Sequence, residues 1–73
     1  MNDLADINQV VQQIVAEKGT VQRSVIPILQ AIQEKYNYLP EEALRKVCEL
    51  TEITPEKIIG IATFYSRFRL QPA

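Results

Sequence analysis

Ile58-Ile59-Gly60-Ile61-Ala62-Thr63-Phe64-Tyr65-Ser66-Arg67-Phe68 gathers both phenylalanines of the chain, one of its three tyrosines and one of its two glycines within eleven residues. Ile58, Ile61, Ala62 and Tyr65 recur at i, i+3, i+4 and i+7, the period of one helix face. Phe64 and Phe68 widen that face beyond what a small core needs. The stretch is therefore expected to be a helix that either forms the centre of a bundle or meets a partner. Gly60 costs about 1 kcal/mol against alanine in a helix interior. It is expected where another backbone comes close, with an internal helix contact preferred over a partner contact.

The residues before this stretch supply three more helices. Ile7, Val10, Val11, Ile14 and Val15 repeat at helical spacing opposite Gln9, Gln12, Gln13, Glu17 and Lys18. Asp6 with Gln9 resembles a capping box at the start, and Gly19 a C-cap at the end. Val25, Ile26, Leu29, Ile32 and Tyr36 form a second apolar stripe, interrupted by Pro27. With Ser24 as N-cap, Pro27 falls in the first turn, where it removes no intrahelical bond; with a start nearer Val21 it would kink the helix. Asn37 tolerates a left-handed conformation at the helix end, and Leu39 before Pro40 is pushed toward extended backbone.

Pro40, Glu41 and Glu42 open a third helix with a proline near its start and acids in its first turn. Its inner face is Ala43, Leu44, Val47, Cys48 and Leu50. Thr54-Pro55 repeats the start signal, with Thr54 as N-cap and Pro55 at the first helical position. The expectation is an all-α bundle of four helices over about 7–18, 22–36, 40–51 and 55–68, forming a single domain over 1–73.

Charge and chemistry narrow the function classes. The net charge is -1, yet all nine acidic residues lie at or before Glu56, and Lys57, Arg67 and Arg69 follow. The basic end either complements the macrodipole of the last helix or forms a docking edge. Histidine is absent and Cys48 is the only cysteine. No Ser/His or Cys/His pair exists, and one soft ligand cannot hold zinc or an iron-sulfur cluster. Glu41 and Glu42 point about 100° apart on a helix, and its N-terminus accounts for them without catalysis. The chain is not expected to be an enzyme by itself. Cys48, beside Val47, is expected to be a buried and unreactive thiol.

A lone thiol gives no sign of an oxidising compartment. The start, Met1-Asn2-Asp3-Leu4, has neither a basic nor an apolar leader segment, and no apolar run approaches a membrane span. Cytoplasmic residence is the expectation. The third and fourth helices also have the outline of a helix-turn-helix. A recognition helix beginning Glu56-Lys57-Ile58-Ile59, in a slightly acidic chain, is poorly suited to phosphates and base edges.

Three motifs in order carry a family resemblance: Ile26-Pro27-Ile28-Leu29-Gln30-x-x-Gln33, Tyr36-x-Tyr38-Leu39-Pro40, and Thr54-Pro55 followed by Ile58-x-Gly60-x-Ala62-Thr63-Phe64-Tyr65-x-x-Phe68. From about Val21 on, the chain resembles the N-terminal helical domain of the E-type, thioredoxin-like 2Fe-2S subunit of NADH:quinone oxidoreductase. The same subunit type occurs in NAD(P)-reducing hydrogenases and NAD-dependent formate dehydrogenases. The resemblance implies a helical domain leading into a thioredoxin-like domain whose four cysteines hold a 2Fe-2S cluster, docked against a flavin-bearing, NAD(P)H-oxidising subunit that carries FMN. None of those cysteines has a counterpart here, so no catalytic, cofactor or metal residue is carried over. What carries over is an association role, with Phe64, Tyr65, Arg67, Phe68 and Arg69 as the candidate partner-binding residues. A freestanding interaction or regulatory module is the alternative, and a helix-turn-helix DNA binder the third reading.

Overall fold

The computed structural model describes residues 3–71, with side chains from Ile7 onward. Four α-helices follow one another: α1 Asp3–Lys18, α2 Val25–Tyr36, α3 Glu41–Leu50 and α4 Pro55–Phe64, with a 3-10 turn over Gln22–Ser24 leading into α2. Among the described residues there is no strand, so the all-α four-helix reading holds. Most of the periodic positions are buried; Val10, Ile26, Tyr36, Leu44, Cys48, Leu50 and Ile61 are partly buried against them, and Tyr65, expected on the inner face of the last helix, is exposed. Ile7, Val11, Ile14 and Val15 of α1 meet Val25, Ile28, Leu29 and Ile32 of α2 and Ala43 and Val47 of α3 in one apolar cluster. α1 packs on both α2 and α3, and α4 lies on α3. Ile58 and Ala62 carry α4 into the same cluster.

The linkers are built by identifiable local chemistry. α1 is already helical at Asp3, the first described residue, so Asp6 lies within the helix and is not its N-cap; the Asp6 side chain lies outside the described ones. Gly19 has φ 105°, and its N–H donates to the Val15 carbonyl at 2.8 Å. Ser24 occupies the N-cap position of α2 but makes no side-chain cap there. Its buried hydroxyl instead donates to the Lys18 carbonyl at 2.9 Å, satisfying an orphan acceptor at the end of α1. Pro27 falls in the first turn of α2, where its missing donor has no intrahelical role. Asn37 ends α2 in the left-handed conformation, φ 71°, its N–H bonded to the Gln33 carbonyl.

The α2–α3 and α3–α4 links each bury one large aliphatic side chain, Leu39 and Ile53. Ile53, which no helical period marks, is held by its N–H donating to the Thr51 hydroxyl at 3.1 Å, while that hydroxyl donates to the Val47 carbonyl at 2.6 Å. The α1–α2 and α3–α4 linkers are tied together by the Glu52 N–H, which donates to the Thr20 carbonyl at 3.0 Å.

Two expectations for α4 are corrected. It ends at Phe64, not Phe68, so Arg67 and Arg69 lie beyond the last turn and do not complement its dipole. Gly60 is exposed and a Cβ there would meet nothing within 4 Å, so the preferred internal helix contact is absent among the described residues. At the other end of α4, Ile58 is buried, which removes from solvent a residue that a DNA-reading helix would present.

Candidate functional site

The fourth helix starts with the predicted cap. The Thr54 hydroxyl accepts from the Lys57 N–H at 3.2 Å and Pro55 takes the first helical position. Ten residues later the Tyr65 N–H still reaches the Ile61 carbonyl, but Tyr65 itself is extended and the helix stops. The Phe68 N–H then donates to the Tyr65 carbonyl at 3.2 Å, closing a turn. This turn sorts the aromatic residues. Phe68 is 7% exposed and joins the core, whereas Phe64 is 80% exposed and Tyr65 36%. The rings form an edge-to-face chain: Phe64 to Tyr65 at 5.2 Å and Tyr65 to Phe68 at 6.4 Å between centroids. The exposed pair thus rests against a buried ring.

Beyond Phe68 the backbone is held by the second helix. The Gln33 side-chain amide donates to the Arg67 carbonyl at 2.5 Å, and its oxygen accepts the Arg69 N–H at 2.7 Å. The Leu39 N–H donates to the Arg69 carbonyl at 2.7 Å. Gln33, Arg67 and Arg69 line a shallow polar cleft of about 390 Å³ together with Gln30, Glu34 and Asn37. Both arginines are exposed, and neither forms an ion pair among the described residues. Of the five candidate partner-binding residues, Phe64 and Tyr65 border one recess with Lys57 and Ile61, Arg67 and Arg69 line the cleft beside Gln33, and Phe68 is buried against the Tyr65 ring. Sequence reasoning gave Gln33 only as part of a motif; its clamp on a segment 34 to 36 residues away has no local signal.

A second, mainly apolar groove of about 500 Å³ runs between α3 and α4, lined by Leu44, Cys48, Pro55, Ile58 and Ile59, with Glu41, Arg45 and Glu49 at its rim. Cys48 is half-buried there rather than fully enclosed. Burial pushes its thiol pKa up, which disfavours the reactive thiolate.

Comparison with known proteins bears on what this fold serves. The profile of the family described as Thioredoxin-like [2Fe-2S] ferredoxin matches residues 11–73. The chain belongs to that family. The match begins inside α1, upstream of Val21, where the sequence resemblance starts. Within this thioredoxin-like 2Fe-2S ferredoxin family, the E 1 subunit of NADH-quinone oxidoreductase from Rhizobium meliloti is 33% identical over 55 residues, covering 75% of this chain and 20% of the relative. NADH-quinone oxidoreductase subunit 2 of Thermus thermophilus is 26% identical over 49 residues, covering 67% of this chain and 27% of the relative. The chain therefore spans between a fifth and about a quarter of the length of these curated relatives.

The family name implies a 2Fe-2S cluster, and the residues present do not fit one. Such a cluster takes four thiolates, or two thiolates and two imidazoles. The chain has one cysteine and no histidine, and among the described residues no three of His, Cys, Asp and Glu come together as a metal site. No helix among the described residues is long and apolar enough to cross a membrane.

Proposed function

We propose that the chain is a single, non-catalytic helical docking domain of an NAD(P)-linked flavin and iron-sulfur oxidoreductase, corresponding to the helical part of a 2Fe-2S electron-transfer subunit. Its partners in this reading are the thioredoxin-like cluster domain and the flavin-bearing, NAD(P)H-oxidising subunit. Phe64, Tyr65, Arg67 and Arg69 make the contact with the flavin-bearing subunit, and Phe68 holds that surface from beneath.

The observation that carries this reading is the exposure of Phe64, 80% of whose surface faces solvent at the end of a helix that buries Ile58 to 1% exposure. Fully burying a phenylalanine side chain is worth about 1.5–3 kcal/mol. An exposed, well-supported aromatic ring is the kind of residue on which interface energy concentrates. The family match and the relatives' names supply the context of the partner.

The test is titration of the 73-residue chain against the FMN-loaded NAD(P)H-oxidising subunit of such a complex, with Phe64→Ala alongside. Wild-type binding, weakened roughly 30-fold in the variant with its thermal midpoint unchanged, is expected for a hot-spot residue. Absence of wild-type binding would exclude the docking role.

A further inference from the structure

We propose that Arg67 and Arg69 form a preset pair of cationic contacts for carboxylates on the protein surface that Phe64 enters, so that the partner presents an acidic rim beside an apolar depression. This rests on the docking reading above and names the chemistry of the partner. Three observations lead to it. The arginines flank buried Phe68 and are themselves exposed, so the segment turns one ring inward and two cations outward. Their backbone is fixed at three points, by both ends of the Gln33 amide and by the Leu39 N–H. Their charge is also unspent within the fold. Arg45 pairs with Glu41 and Glu42, and Lys46 with Glu49, whereas Arg67 and Arg69 pair with no acid among the described residues. Glu34 lines the same cleft but lies outside ion-pair distance of either guanidinium, and no acid occurs in the sequence after Glu56.

Two exposed guanidinium groups rising from an anchored backbone suit carboxylates, which accept their paired N–H donors in one plane. They suit a nucleic-acid backbone less well. Binding there requires many phosphates to be neutralised at once, and this chain has a net charge of -1. The exposed Phe64 and Tyr65, close to the arginines in the chain, also call for an apolar depression, which a folded protein surface provides. The role of Gln33 is positioning. It sets where the arginine stems leave the backbone and does not itself supply charge.

The experiment measures affinity of the 73-residue chain for the FMN-loaded NAD(P)H-oxidising subunit at low and high sodium chloride. The variants are Arg67→Glu/Arg69→Glu, Arg67→Gln/Arg69→Gln, Gln33→Ala and Phe64→Ala. Arg23→Glu is the control, in the 3-10 turn before α2, whereas Gln33 lies near the end of that helix. The wild type is expected to lose affinity as salt rises, and the double glutamate variant to bind at least about tenfold more weakly with a flattened salt response. The double glutamine variant should fall between them, and Arg23→Glu should match wild type. Gln33→Ala should weaken binding while keeping the wild-type salt dependence, because the charges remain but are no longer fixed.

Unchanged affinity and salt dependence in both double variants, with Phe64→Ala still weakened, would overturn the arginine assignment and leave docking intact. No binding by the wild type would overturn both. Unchanged binding by Gln33→Ala would overturn the preset geometry. Tighter binding of the wild type to a 20-base-pair duplex than to the flavoprotein, lost in the double variants, would overturn the partner class.

Discussion

Phe64 and Phe68 stand four residues apart, yet the first is 80% exposed and the second 7%, because α4 stops at Phe64 and the chain turns between them. Had the helix continued, i and i+4 would have shared a face. The separation predicts opposite effects of the same substitution. Phe68→Ala should cost about 3–5 kcal/mol of stability, as a ring removed from a core. Phe64→Ala should stay within about 0.5 kcal/mol. Urea unfolding measures both, and equal losses would contradict the turn.

The two glycines should respond in opposite directions to alanine. Gly60 is helical with open space around it, so Gly60→Ala should stabilise by about 1 kcal/mol. Gly19 has φ 105°, and a Cβ there would lie 2.9 Å from the Ser24 Oγ. Gly19→Ala should therefore destabilise by about 1–2 kcal/mol from backbone strain alone, and more if the Ser24–Lys18 bond is displaced. A loss of stability in Gly60→Ala would show that a neighbour does approach that helix.

Half-burial of Cys48 sets its pH behaviour. Its folded pKa is raised by burial, so the neutral thiol is favoured in the native state. That contribution is fully present below the unfolded thiol's value of about 8.5 and is lost as pH climbs through the higher native value. Stability should therefore decline on the alkaline side, and Cys48→Ala should reduce that decline. Thiol labelling under native conditions at neutral pH should be slower than in denaturant; equal rates would contradict the shift.

Among the described side chains, Thr54 is the one predicted N-cap that performs the role, accepting from the Lys57 N–H. Thr54→Ala should cost about 1 kcal/mol, and Thr54→Ser much less. Thermal denaturation of the two variants distinguishes loss of the hydroxyl from loss of the methyl group.

Most residues that repeat at helical spacing in the sequence pack in or against the core, because an amphipathic helix must bury its stripe; Tyr65 does not, since the helix stops before it. The left-handed Asn37, the first-turn position of Pro27 and the Thr54-Pro55 start were legible for the same reason: each is decided within four residues. The diversion of Ser24 to the Lys18 carbonyl and the early end of α4 were not. They depend on what lies across the fold. Gly60 shows the limit most clearly. A helical glycine invites the expectation of close packing, yet only the tertiary arrangement tells whether anything lies opposite. In the candidate site, the aromatic and basic residues stood out by composition, but which rings face outward was set by the turn after Phe64 and the Gln33 clamp.

That clamp also places the segment in the order of folding. Gln33 and Arg69 are 36 residues apart, so joining them closes a long loop that offers no gain until α2 and the α2–α3 link already exist. The end of the described chain should therefore settle after the bundle has assembled. Gln33→Ala should accelerate unfolding while leaving the refolding limb of a chevron nearly unchanged, the signature of a contact made after the transition state. The surface that bears the exposed aromatics and arginines would then be the last part of the molecule to take shape and the first to be released.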